Sequence, residues 1–350
     1  MKKQTYLLIL FGALFLFCLS HTNVQAETSD NEVSITISAA GDCTFGSDRI
    51  SPASTNFYSV YRKVNDNSYF FSKVSSIFKK DDLTIVNLEG TLTNRGQRAD
   101  KKYAFRGKPS YAKILKKGSI EAVAFANNHC RDYGEVSYQD TCSALKKNDI
   151  RYASYGKTGI YQTKGKKIGM VAVNALEGYS TSKNLIQSGI KKLKNKNVDL
   201  IIVSIHGGVE YNSQPNDTQK SLSHYAVQKG ANLVLGHHPH VLQGIEKYKG
   251  AYIVYSLGNF CFGGNTNPSD KDTMIFQQKF IFKGNKLQKK NSTAKVIPCS
   301  LSSRSGVNNY QPKTVQGKRY QKILDRLAQY SRPLGTSFRK KKGKQTNILK

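Results

Sequence analysis

Gly236-His237-His238-Pro239-His240 follows one apolar run, residues 231–235, and precedes another, Val241-Leu242-Gln243-Gly244-Ile245. The first run reads as a short buried strand, so three imidazoles stand at a strand end. Imidazoles are costly to bury there unless something uses them. Pro239 fixes its own φ and stiffens the turn between His238 and His240, and rigidity is what a metal site needs from its ligands. A polar surface loop is the plain alternative for one such cluster taken alone.

Outward from that stretch the same arrangement recurs. Residues 33–40 alternate and predict a first strand, ending at Gly41-Asp42. Residues 83–86 deliver Asn87-Leu88-Glu89-Gly90, and 122–126 deliver Asn127-Asn128-His129. Residues 198–205 deliver His206-Gly207-Gly208, and 251–257 deliver Gly258-Asn259. Between these runs, apolar spacing predicts helices over 69–78, 111–117, 138–147, 185–193 and 218–228, with a further strand over 168–173. Residues 93–108 read as a basic, polar excursion. Strands alternating with helices predict an α/β fold with mixed sheets. In such sheets, sites assemble at the carboxyl ends of strands. Singly, Asp42 is explained as a turn former, His206 as a satisfied core histidine and Asn259 as a cap. Six strand ends drawing repeatedly on Asp, Glu, Asn and His are poorly explained by chance.

The remainder of the chain sets its compartment and partners. Lys2-Lys3 precede an apolar segment over 6–17, and Val24-Gln25-Ala26 fits a small-x-small cleavage site. Residues 1–26 therefore read as a signal peptide or an uncleaved anchor, placing the body outside the cytoplasm, secreted or at the cell surface. Lys and Arg number 54 against 23 Asp and Glu, a net +31, and losing residues 1–26 leaves +29. Such a surface attracts polyanions, although generic solubility charge is the competing explanation. Nucleic acid suits the charge but not the secretion signal, so no nucleic-acid partner is expected. The mature part holds Cys43, Cys130, Cys142, Cys261 and Cys299, with no CxxC pair, which excludes a zinc ribbon or thioredoxin-type motif. Cys43, Cys130 and Cys261 lie next to the motifs and are expected near one another, a thiolate metal ligand being a minor possibility. Residues 274–297 predict a hairpin split by Gly284-Asn285, and 319–330 a late helix. Residues 339–344 are read as a disordered cationic tail, dispensable for folding.

Carboxylate, amide oxygen and imidazole together suit one or two divalent transition-metal ions, Mn, Zn or Fe. Such a site binds a phosphoryl oxygen and turns a bound water into hydroxide near neutral pH. A neighbouring histidine then protonates a leaving alkoxide or holds a transition-state oxygen.

The set Gly41-Asp42, Asn87-Leu88-Glu89-Gly90, Ala126-Asn127-Asn128-His129 with Asp132-Tyr133-Gly134, His206 to Tyr211, Gly236 to Gln243, and Ser256 to Phe260 resembles the CapA family. This is the poly-γ-glutamate capsule synthesis family of the calcineurin-like metallophosphoesterase superfamily. The resemblance spans about residues 33–283. It implies a four-layered αββα sandwich of the metallo-dependent phosphatase type in a domain over 33–300, followed by a C-terminal helix and basic tail over 301–350. It also implies a role in synthesis, export or handling of poly-γ-glutamate or a similar anionic polymer, alongside membrane-bound capsule synthesis proteins. Carried over by motif, Asp42, Glu89, Asn128, His206, His238 and His240 are metal ligands, and His129 with Asn128 is catalytic. Glu210, Asn259 and His237 are left as substrate or supporting groups. Two departures stand out: Thr44 replaces the His of the superfamily's Asp-x-His, and Glu89 replaces a shorter bridging Asp. The expected activities are a metal-dependent hydrolase of a phosphoester or related bond, or a non-enzymatic polyanion-binding scaffold of capsule assembly.

Overall fold

The computed structural model describes residues 32–289 and 292–350; the signal or anchor segment read over 1–26 lies outside the described residues. Two sheets face each other. In the first, the strands Glu32–Thr44, Leu83–Leu88, Ala122–Ala124 and Arg151–Ala153 run parallel in that order. On the other side of Glu32–Thr44 the sheet continues antiparallel through Asp272–Lys283, Thr293–Ser300, Lys344–Leu349 and Phe338–Lys341. The second sheet has a parallel centre of Lys166–Asn174, Leu200–His206, Leu233–His237 and Ala251–Val254. Antiparallel strands Gly159–Thr163 and Ile245–Tyr248 close its two edges.

The period-2 alternation of these strands decides the layering. Ile35, Ile37, Leu83, Ile85, Ile168, Met170, Leu200, Ile202, Leu233 and Leu235 point between the sheets and form one core. From the first sheet, Val86, Val123 and Phe260 face the other way, onto the helices Phe57–Val64, Ala112–Lys117 and Glu135–Lys147. From the second, Val171, Val203 and Val234 meet Ile186, Ile190, Leu222 and Ala226 of helices Tyr179–Lys194 and Asp217–Lys229. The chain is thus an αββα sandwich.

Three expectations change. The helix predicted over 69–78 divides into a 3-10 turn, Tyr69–Phe71, and a one-turn helix, Ser75–Phe78. This aromatic-rich stretch has modest helix propensity, and ring packing decides its path instead: Phe57 and Phe70 stack at 4.8 Å. The strand predicted over 251–257 stops at Val254, and the chain changes sheets so that Asn259–Phe262 pairs with the first strand. Gly41 permits that crossing, because a Cβ there would lie 1.8 Å from the Gly258 carbonyl oxygen. The third change is the tail over 339–344, which is not disordered: it forms the hairpin Phe338–Lys341/Lys344–Leu349. Phe338 and Leu349 bracket its cations and are buried in the inter-sheet core beside Leu324 and Leu327 of the helix Gly317–Ser331.

That packing reverses the expectation that the tail is dispensable. Burial of a Phe and a Leu contributes about 3–6 kcal/mol. Truncation after Ser337 is expected to lower the melting temperature by roughly 10 °C or to cause aggregation. A truncated chain that melts with the parent would show that the hairpin adds no stability.

Candidate metal centre

The parallel strands of both sheets end at one level. Across the second sheet Asn174, His206 and His237 are register partners, and across the first Asp42 pairs with Asn87 and Asn259. The backbone turns sharply here, with φ +97° at His238 and +59° at His240 on either side of Pro239. Such left-handed conformations persist at bulky residues only where surrounding contacts hold them. The contacts are present. Tyr211 N donates to the Pro239 carbonyl at 2.8 Å, and Gln243, fully buried, donates to the Asn212 and Gln214 carbonyls at 2.8 and 3.1 Å. Gln219, N3 of the capping box opened by Asn216, donates to Gln243 at 2.9 Å. The loop carrying Glu210 is thereby strapped to the histidine turn.

All ten residues singled out in the sequence meet here. Ligand atoms of Asp42, Glu89 and His206 lie within 4.8 Å of one another, as do those of Glu210, His238 and His240. Asn128 Oδ1 is 2.9 Å from His206 Nε2, and Asn259 Oδ1 is 2.9 Å from His240 Nδ1. His237 Nδ1 lies 3.3 Å from Asp42 Oδ1, and His129 Nε2 lies 3.7 Å from Glu89 Oε1. Glu210, read as a substrate or supporting group, stands within ligand reach at the exposed rim. No cysteine joins either group: the five thiols among the described residues are free and buried.

The polar atoms at the centre are under-satisfied. Both Glu89 carboxylate oxygens, His237 Nε2 and His238 Nδ1 are buried without a hydrogen bond. Thr44 Oγ1, where the superfamily places a histidine, is equally unpartnered. Buried polar groups without partners cost free energy, and several converging on one point fit a cation between them. Burial pushes the Glu89 carboxyl well above its ordinary range, only partly offset by His240. Asp42 is held well below, since hydrogen bonds and charge from His237 and His240 outweigh its burial. Burial works against a charged His240, but Glu89 and Asp42 lift it to about 9. Burial and the neighbouring His240 lower His238 to about 4.

His129 occupies a separate arrangement beside the ligand groups. Its Nδ1 is 2.7 Å from Asp132 Oδ2, and Asp132 also accepts from Lys101 Nζ at 2.9 Å and from Phe105 N at 2.5 Å. An acceptor-only carboxylate places the His129 proton on Nδ1 and turns Nε2 toward Glu89. Burial keeps the ring's pKa low, against the pull of Asp132. The Phe105 ring lies 4.3 Å from the imidazole. Lys101 and Phe105 come from the excursion over 93–108, where nothing in the sequence marked them. Asn87, which donates to Asp42 Oδ1 at 2.8 Å, was legible as part of its motif but carried no assigned role. Glu210, His129 and His240 open into a cleft of about 250 Å³ with Tyr103, Tyr211 and Ile50 on its walls.

Two facing sheets, flanking helices and this strand-end set of Asp, Glu, Asn and His define an αββα sandwich of the metallo-dependent phosphatase type. Residues 36–264, which include every residue of the centre, match the family described as bacterial capsule synthesis protein PGA_cap. The chain belongs to that family. It is 30% identical over 294 residues to the capsule biosynthesis protein CapA of Bacillus anthracis, covering 75% of this chain and 69% of that one. To the PGA biosynthesis protein CapA of Bacillus subtilis (strain 168) it is 32% identical over 216 residues, covering 55% and 56%. A probable polyglutamine synthesis accessory protein of Mycobacterium tuberculosis is 28% identical over 210 residues, covering 51% and 55%. The chain thus spans little more than half the length of the last two relatives.

Proposed function

We propose that this chain is an extracytoplasmic, metal-dependent hydrolase acting on a phosphoester or related bond in the handling of poly-γ-glutamate or a similar anionic capsule polymer. Glu89 carries the reading: a carboxylate with both oxygens buried and unbonded, ringed by imidazoles, is a site waiting for a cation. Asp42, Glu89, Asn128, His206, His238 and His240 would hold one or two ions of Mn, Zn or Fe, with Glu210 beside the last two. A bound divalent ion supplies Lewis-acid polarisation and an activated water near neutral pH. His129 Nε2, oriented by the Asp132 and Lys101 pair, takes or returns a proton at the cleft floor. Phe105 shields that imidazole, and His237 braces Asp42. Membrane-bound capsule synthesis proteins are the proposed partners, consistent with an apolar segment over 6–17; among the described residues no helix is long and apolar enough to cross a membrane.

Thr44 favours a second reading, a polyanion-binding scaffold that has given up chemistry, because it removes one superfamily ligand. Elemental analysis of purified protein separates the two. One or two transition-metal ions per chain, with phosphodiester turnover that stops on chelation, are expected. No ion even after adding Mn and Zn would hand the site to the scaffold reading.

A further inference from the structure

We infer that the groove between helix Gly317–Ser331 and hairpin Phe338–Leu349 is a binding track for a linear polycarboxylate of the poly-γ-glutamate kind. The inference rests on the capsule-polymer reading but concerns a surface outside residues 36–264, where the family match ends. Lys318 and Lys322 stand one turn apart on the exposed helix face. With Lys344 they line an open groove of about 820 Å³, and an adjoining hollow shares Lys344 with Lys341 and Lys342. The helix sorts its cations. Arg319 and Arg326 turn to Asp272 and Asp270, at 2.7 and 3.1 Å. Among the described residues, none of the five lysines has an acidic partner. The acid lining the groove, Asp325, accepts from Gln321.

The groove also lies at the functional end of the sandwich. Register pairs Lys295 with Ile348 and Ser300 with Asp272, so the hairpin tip points toward the sheet end where Asp42 stands. One loop joins the two places: Gly264, Asn265 and Thr266 line the cleft, and Asp270 holds Arg326 on the helix. Lysines on an edge strand also guard against unwanted strand pairing, which accounts for Lys341 but not for Lys318 and Lys322 across the groove. Its aromatic lining is limited to half-buried Tyr330 and, in the adjoining hollow, Tyr320, and none of the exposed large hydrophobic side chains among the described residues lies there. A membrane surface or a stacked nucleic acid would ask for exposed large apolar or aromatic side chains. A flexible chain of carboxylates needs only spaced cations in a concave track.

The test is fluorescence anisotropy of labelled poly-γ-glutamate with the full chain, across a salt series. Changing Lys318, Lys322, Lys341, Lys342 and Lys344 to Gln is expected to weaken binding roughly tenfold or more at low salt and to flatten its salt dependence. Metal content should stay unchanged. A control with Lys63, Lys73, Lys79, Lys80 and Lys117 changed to Gln carries the same net charge and should keep parental affinity. Equal affinity of the groove variant and parent, or an equal loss in the control, overturns the track. So does capture of phosphatidylserine vesicles through these lysines without polymer binding. A parent that binds polymer through the groove but shows no metal and no turnover sinks the hydrolase reading and leaves the track standing.

Discussion

A Glu89→Gln variant is expected to take up transition metal at least roughly a hundredfold more weakly than the parent while its metal-free form stays folded. The asymmetry follows from the state of the carboxyl. Burial favours the uncharged form of the Glu89 carboxyl in the metal-free protein, and glutamine is close in shape to that form. A cation stabilises the charged carboxylate and needs the negative charge that glutamine lacks. His240, lifted to about 9, is protonated at pH 7 and must lose its proton to become a ligand. Metal binding should therefore release protons, and affinity should climb about tenfold per pH unit for each proton released between pH 6 and 9. The metal-free protein runs the opposite way. Its His240 is raised above the ordinary 6.5, so that stabilising contribution is full below about pH 6.5 and is lost as pH rises through about 9. Calorimetric titration in buffers of different ionisation enthalpy reads the protons directly. Parental affinity in the variant would remove Glu89 from the centre, and no proton release at pH 7 would remove His240.

The positions of the ligand-type residues were legible because of how α/β sheets divide their labour. Interior strand positions must be apolar, so a polar residue at the last position of a strand such as Leu200–His206 or Leu233–His237 is conspicuous. What encloses those residues was not legible, because it depends on partners distant in sequence. Asn259 reaches Asp42 only because the chain changes sheets after Val254, and an apolar run reads the same whichever sheet it joins. Lys101 and Phe105 sit in a polar excursion without periodicity, and they matter only through contacts with Asp132 and His129. The C-terminal hairpin misled for a related reason. Six residues over 339–344 contain five cations and look unfoldable, but their burial is carried by the flanking Phe338 and Leu349.

His129→Ala is expected to lower phosphodiester turnover by roughly 10²–10⁴-fold while metal content and melting temperature change little. The side chain is not among the two groups of converging ligand atoms, so its loss leaves those groups intact. What is lost is an imidazole at the cleft whose Nδ1 is held 2.7 Å from Asp132, leaving Nε2 to face the centre. Asp132→Asn tests the same arrangement differently. An amide nitrogen in place of Oδ2 would donate to Nδ1 and drive the proton to Nε2, reversing the tautomer without removing the ring. It would also leave Lys101, 2.9 Å from Oδ1, without a negative partner, and Phe105 N without its acceptor. Turnover should fall nearly as far as in His129→Ala, with some loss of stability that the histidine variant does not show. In the double variant the two losses should not add, because both changes disable one proton-handling unit. Turnover that persists in His129→Ala at full metal occupancy would mean that the proton is handled elsewhere, with Glu210 at the cleft rim the next group to replace.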